Sequence, residues 1–192
     1  MSALAPIFDI IVGHEGAFSK TYADAGDWTS GHVGVGRLLG TNWGVDTASY
    51  PADLAKLDPA MRATMPATVA GLTRDQAQAI FAVCYWQPIS GDALPPSLAL
   101  LAADASYNNG PDRAARWLQE TVGAGVDGSI GAQTLAALSK TLYATGTAAV
   151  ATEFMAQRMN FMGGLAIWKS FGLGWSRRLA ALPYQSLSLK VA

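Results

Sequence analysis

Six glycines, at positions 26, 31, 34, 36, 40 and 44, alternate with Val33, Val35, Leu38, Trp43 and Val45. No regular helix tolerates glycine at that density, whereas tight turns use the positive φ that glycine supplies without strain. The composition over 17–48 predicts short strands or a hairpin. The rest of the chain reads differently, as helices with marked ends.

The first helix is expected near Leu4. Ile7, Ile10, Ile11 and His14 follow a three-to-four spacing, Pro6 suits a first helical turn, and Gly13 and Gly16 flank the end. Thr73 and Gln76 in "LTRDQ" form a capping box that opens a helix running to about Trp86. Pro95 and Pro96 start "PPSLALLAADASYNNG", which Asn108, Asn109 and Gly110 close as a left-handed C-cap. "PDRAARWLQETVG" begins with proline and ends with glycine, and "VDGSIG" is a tight turn into "AQTLAALSKTLYATG". A long helix is predicted over Thr147 to Met162, with Val150, Phe154, Gln157 and Phe161 along one side. Trp168, Phe171, Trp175 and Leu179 predict a tail that packs back on the body. The one seam is "SGDALPP", Ser90 to Pro96, which divides the chain into 1–91 and 92–192. The two parts are expected to pack into one compact body.

Composition narrows the function. With 51% hydrophobic residues, 192 residues bury a sizeable core. A net charge of −1 without a basic run argues against nucleic acid and against polybasic membrane attachment. Cys84 is the single cysteine, so no intramolecular disulfide forms, and in "AIFAVCYW" it is expected as a small buried thiol. His14 and His32 are the only histidines, which leaves a zinc site almost no ligands. No metal and no cofactor are expected. The N-terminus lacks the basic start and small-residue cleavage site of a signal peptide, and no stretch reaches the roughly 18 apolar residues of a membrane span. The protein is therefore expected to be made in the cytoplasm, without stable membrane insertion.

Three glutamates occur, Glu15, Glu120 and Glu153. The last two fall in ordinary amphipathic helices. Glu15 instead follows Ile7 and Ile11 on nearly the same helix side and runs straight into Gly16. Desolvation and the negative end of the helix dipole both favour a protonated carboxyl there. Such a group can give a proton to a departing oxygen, the chemistry of glycosidic cleavage. A second group is needed across the sugar. Asp24, nine residues on in the polar loop "TYADAGDW", is the candidate, and Asp27 is an alternative for the same part. Taken alone, a helix-end glutamate is most often a solvated surface residue, and an aspartate at a glycine-containing turn is most often a turn former.

"HEGAFSKTYAD" has tyrosine and aspartate seven and nine residues after the glutamate, a spacing similar to that of phage-type lysozymes. "AGDWTSGHVGVGRLLGTNWGVDTASYP" resembles glycoside hydrolase family 108 more specifically, through the threonine-x-aromatic-glycine-hydrophobic segment Thr41 to Val45. "LTRDQAQAIFAVCYWQPI" resembles that family's helix ending in Tyr-Trp. The run from Leu98 to Leu138 looks like the peptidoglycan-binding part that often follows, and "GLGWSRRL" is similar to its ending. Members of that family open with a glutamate-glycine-glycine-aromatic motif and usually have proline after the aspartate, and two positions depart from this pattern: Ala17 stands for the second glycine and Ala25 for the proline.

The resemblance implies a mostly α, lysozyme-like helical fold with a small β-hairpin region near the active site. It places the catalytic part at 1–91 and a helical peptidoglycan-binding-like part at 92–192. It implies an N-acetylmuramidase cutting the β-1,4 bond between N-acetylmuramic acid and N-acetylglucosamine. Glu15 would be the acid, with Asp24 and Thr41 carried over by analogy as the groups that manage the attacking water. Tyr22, Trp43 and Asn108 are candidates for substrate contact; for Asn108 the competing role is a helix cap. The implied partners are peptidoglycan glycan strands and a holin or exporter that releases the protein to the wall or periplasm, as for a phage endolysin or a secretion-assisting muramidase. Rival readings are a lytic transglycosylase, a chitinase or chitosanase, and a non-catalytic wall-binding protein.

Overall fold

The computed structural model describes residues 2–13, 18–187 and 189. Helix α1 (Leu4–Val12) puts Ile7, Phe8 and Ile11 into the interior, as the spacing requires. The glycine-rich stretch yields one hairpin, β1 (Thr41–Asn42) with β2 (Val45–Asp46), paired antiparallel with Thr41 opposite Asp46 and Asn42 opposite Val45. Apart from a 3-10 turn at Ala25–Asp27 and isolated bridges between Ser19 and Thr41 and between Trp28 and Leu38, the described part of that stretch is turns and irregular chain, because Gly31, Gly34, Gly36 and Gly40 all have positive φ and bend it before a longer strand can form. Two short helices follow, α2 (Tyr50–Lys56) and α3 (Pro59–Ala63), each with proline in its first turn.

Helix α4 (Arg74–Phe81) opens on the predicted capping box. Thr73 Oγ1 accepts from the Gln76 N–H at 3.2 Å, and the Thr73 N–H donates to Gln76 Oε1 at 3.0 Å. The regular helix stops at Phe81 instead of near Trp86, and Ala82–Trp86 form a wider π-helical turn. Gly91 then passes flat against the Trp86 ring, where a Cβ would stand 2.4 Å from the indole.

Contacts divide the chain into two units, Phe8–Cys84 and Met1–Ile7 with Tyr85–Ala192. The larger unit is helical. Its centre is α5 (Pro96–Asn109), in which every residue from Leu98 to Ser106 is buried, and against which α6 (Pro111–Val122), α7 (Ala132–Gly163) and α8 (Trp168–Leu187) pack. Gly110, at φ 88, ends α5 where the asparagines predict it. The two helices expected over 132–162 are joined end to end in α7, with Gly146 (φ 81, ψ 162) as the break between them. The "VDGSIG" turn is held by Gln119, whose Oε1 accepts from Asp127 and Gly128 and whose Nε2 donates to Asp127 Oδ1 at 2.6 Å. That last bond lowers the Asp127 pKa. Among the described residues no helix is long and apolar enough to cross a membrane. The fold is mostly α with a small antiparallel hairpin.

Candidate functional site

The unit Phe8–Cys84 holds Tyr22, Asp24, Asp27, Thr41 and Trp43. Glu15 lies outside the described residues. The site is therefore built from the hairpin and the loop that pairs with it.

The hairpin turns in two residues, Trp43 (φ 49) and Gly44 (φ 76), both left-handed, which is the geometry whose twist matches paired strands. Tryptophan in that region is strained, so the surroundings must hold it. Asn42 supplies the hold: its side-chain amide donates to the carbonyls of Val69, Ala70 and Leu72 at 3.0–3.3 Å. Val45 enters the core at 5% exposure. Each position of the Thr41–Val45 motif thus has a physical reason, and Trp43 itself is half-buried. Ser19 adds a third lane by exchanging both backbone hydrogen bonds with Thr41 at 2.9 Å. Gly40 permits that approach, since a Cβ there would stand 2.3 Å from the Ser19 carbonyl oxygen.

Asp24 and Asp27 bracket one turn of 3-10 helix, Ala25–Asp27, and have opposite environments. Asp24 is exposed and caps the turn, its Oδ1 accepting from the Gly26 N–H at 2.9 Å. Asp27 is 1% exposed. Its carboxylate accepts from the Thr21 N–H on one oxygen and from the Thr41 hydroxyl on the other, the latter at 2.6 Å. Its carbonyl accepts from Leu39 at 2.8 Å and Gly40 at 3.1 Å. Asp27 therefore ties the Tyr22–Asp24 loop to the hairpin, and Thr41 is joined to Asp27 and not to Asp24.

Tyr22 is 63% exposed, with its ring edge-on to the buried Trp28 at 5.1 Å. The Trp28 indole N–H donates to the Tyr22 carbonyl at 2.9 Å, fixing the base of that exposed ring. Together these residues present a flat aromatic side chain, an exposed carboxylate and a hydroxyl oxygen. Because the Thr41 hydrogen is committed to Asp27, the oxygen keeps its lone pairs for an outside donor, such as water.

Asn108 belongs to the other unit. It is exposed, and its Nδ2 donates to the Asp104 carbonyl one turn back in α5, at 2.8 Å, while the cap of that helix is Gly110. Beneath it lies a group whose partners the sequence does not announce. Asp104, fully buried, accepts from Arg158 at 2.7 Å on one oxygen and from Arg178 at 2.9 Å on the other. Arg158 Nε donates to Asn109 Oδ1 at 2.9 Å. Burial pushes the Arg158 guanidinium down from its ordinary value, against the attraction of Asp104. A lone aspartate in an alanine- and leucine-rich helix is the sequence sign of such a pair, though its partners stand 54 and 74 positions away. Among the described residues no cluster of three or more His, Cys, Asp or Glu could hold a metal.

The solved structure of Brucella abortus SagA matches this chain at a TM-score of 0.75 with 28% sequence identity, over 97% of this chain and 94% of that one. A comparison with curated proteins found no match. The family model for glycosyl hydrolase 108 matches residues 8–110, more than half of the chain and the stretch that contains both the Asp24 loop and the Thr41–Val45 hairpin. The chain has the lysozyme-like helical fold and belongs to the glycosyl hydrolase 108 family: it is a glycoside hydrolase of the lysozyme type that acts on peptidoglycan.

Proposed function

We propose that the chain is an N-acetylmuramidase that cuts the β-1,4 bond between N-acetylmuramic acid and N-acetylglucosamine. The observation that carries this reading is the family match over the segment holding Glu15, Asp24 and Thr41 in that order. Glu15 protonates the bridging oxygen as it leaves. Positive charge develops at the anomeric carbon. Asp24, the exposed carboxylate of the pair, draws a proton from water, and the Thr41 oxygen accepts the water's other hydrogen, so that the water is aimed at that carbon. Enzymes that use water as the attacking group in this way space their two carboxyls on the order of 6.5–9.5 Å and invert the anomeric configuration, which is the stereochemistry expected of this reaction. Tyr22 and Trp43 offer ring faces to the sugar.

We also propose that 1–91 carries the catalysis and that 92–192 forms a wall-binding part. The protein would be made in the cytoplasm and reach the wall through a holin or a dedicated exporter, as an endolysin or a secretion-assisting muramidase does.

The test is zymography on purified murein with wild type and Glu15→Gln. Clearing by wild type alone, with reducing ends in the digest, is the expected result. A 1,6-anhydro end, lighter by one water in mass spectrometry, would replace the hydrolytic step by transglycosylation. Equal clearing by both proteins would remove the role of Glu15, and clearing by neither would favour the non-catalytic wall-binding reading. Proton NMR of the first-formed anomer checks inversion, and retention would take the water from Asp24.

A further inference from the structure

The larger unit contains a cavity of about 320 Å3 whose walls include Asn108, Asn109, Arg113, Arg158, Phe161 and Trp175. That volume lies at the small end of the roughly 300–1,000 Å3 typical of ligand sites and suits one sugar ring or a short peptide. Its lining holds two guanidinium groups and no carboxylate. The acid that pairs with Arg158, Asp104, is fully buried, is not among the lining residues and is shared between Arg158 and Arg178. Two guanidinium groups against one carboxylate leave one positive charge in surplus, and Arg113 raises the surplus to two.

Arg113 is held in place. Its guanidinium lies 4.2 Å over the Phe161 ring and spends one N–H on the Asn109 carbonyl at 3.3 Å. An arginine has five N–H donors, so several remain for a ligand. Asn108 has committed its Nδ2 to Asp104, which leaves the amide oxygen as an acceptor. The half-buried Trp175 forms an apolar wall beside these groups. The combination recognises an anion on a body that also carries an amide N–H and an apolar face.

We propose that this cavity is a carboxylate-binding subsite for an acylated amino sugar or the peptide attached to it. The peptidoglycan reading above supplies only the identity of the carrier. Two sources share the chemistry: the lactyl carboxylate of N-acetylmuramic acid freed of peptide, and a carboxylate of the attached peptide. The test is isothermal titration of the full-length Glu15→Gln protein with N-acetylmuramic acid, with L-alanyl-D-glutamate, and with neutral N-acetylglucosamine, at low and high salt. At least one acidic probe should bind more tightly than the neutral sugar and weaken with salt, whereas any binding of the neutral sugar in the catalytic cleft should not depend on salt, and the responding probe identifies the source. Arg113→Gln should weaken that binding roughly tenfold, and Arg113→Lys, which keeps the charge but not the fork, by less. Binding of neither acidic probe, equal binding of the neutral sugar, or an unchanged affinity in a folded Arg113→Gln would overturn the subsite. Murein clearing is measured separately on the Glu15 background, so either reading can fail alone.

Discussion

Thr41 gives its hydroxyl hydrogen to Asp27 at 2.6 Å, across fourteen positions of chain. The bond fixes both ends: it satisfies a buried carboxylate oxygen and it turns the threonine into a pure acceptor toward solvent. Thr41→Val keeps the shape and removes the donor. The stranded oxygen should cost about 1–3 kcal/mol, read as a lowered urea midpoint, and Thr41→Ser should recover most of it. A midpoint unchanged in Thr41→Val would mean that Asp27 does not depend on this hydroxyl.

Asp24 and Asp27 should separate cleanly under mutation. Asparagine caps a turn as well as aspartate, so Asp24→Asn should shift stability by no more than about 0.5 kcal/mol. Its murein clearing should nevertheless fall by roughly a hundredfold or more, the usual worth of a positioned base. Asp27→Ala should do the reverse first, lowering the melting temperature before any kinetic question arises. Full clearing by Asp24→Asn would move the water-directing part elsewhere.

Removing the acid from the buried triad should be the most damaging change in the larger unit. Asp104→Ala leaves Arg158, itself fully buried, without its counter-charge, and about 3–5 kcal/mol of stability should be lost in chemical denaturation. Arg178→Gln should cost less, since that side chain is 39% exposed and its charge is partly solvated. Equal losses would show that the part-exposed arginine matters to the triad as much as the acid itself.

Cys84 makes stability sensitive to alkali. Burial, with a smaller repulsion from Asp53, pushes its thiol up to about 12. In the unfolded chain a thiol titrates near about 8.5. The folded form therefore favours the protonated thiol, a contribution fully present below about pH 8.5 and lost as pH rises toward about 12. Tyr50, raised by burial as well, steepens the upper part of that decline. Urea midpoints measured from neutral to strongly alkaline pH should fall for wild type and fall less for Cys84→Ala. The native thiol should also resist labelling until the protein unfolds.

What could be read from sequence was what is written locally. The capping box at Thr73 and Gln76, the Asn109–Gly110 stop and the hairpin in the glycine stretch each depend on a few neighbouring residues, and each formed. Helices α2 and α3 are marked only by Pro51 and the pair Asp58–Pro59, because seven and five residues carry too little apolar periodicity to form a pattern. The site was legible as a set of candidates and no further. In "DAGD" the two aspartates look alike; what separates them is Thr41 and the Leu39–Gly40 backbone folding over only one. The Asp104 triad was hidden for the same reason, since pairing across 54 and 74 positions leaves no periodic trace.

The two-residue turn at Trp43 and Gly44 makes this hairpin a measuring device. Its register sets Thr41 against Asp46 and Asn42 against Val45, and alternate residues point to opposite sides. One inserted residue would slide the amide of Asn42 off its three carbonyls and swing Thr41 away from Asp27. Side chains at the tip can be exchanged at moderate loss, but the number of steps between the strands is the quantity that the site cannot give up.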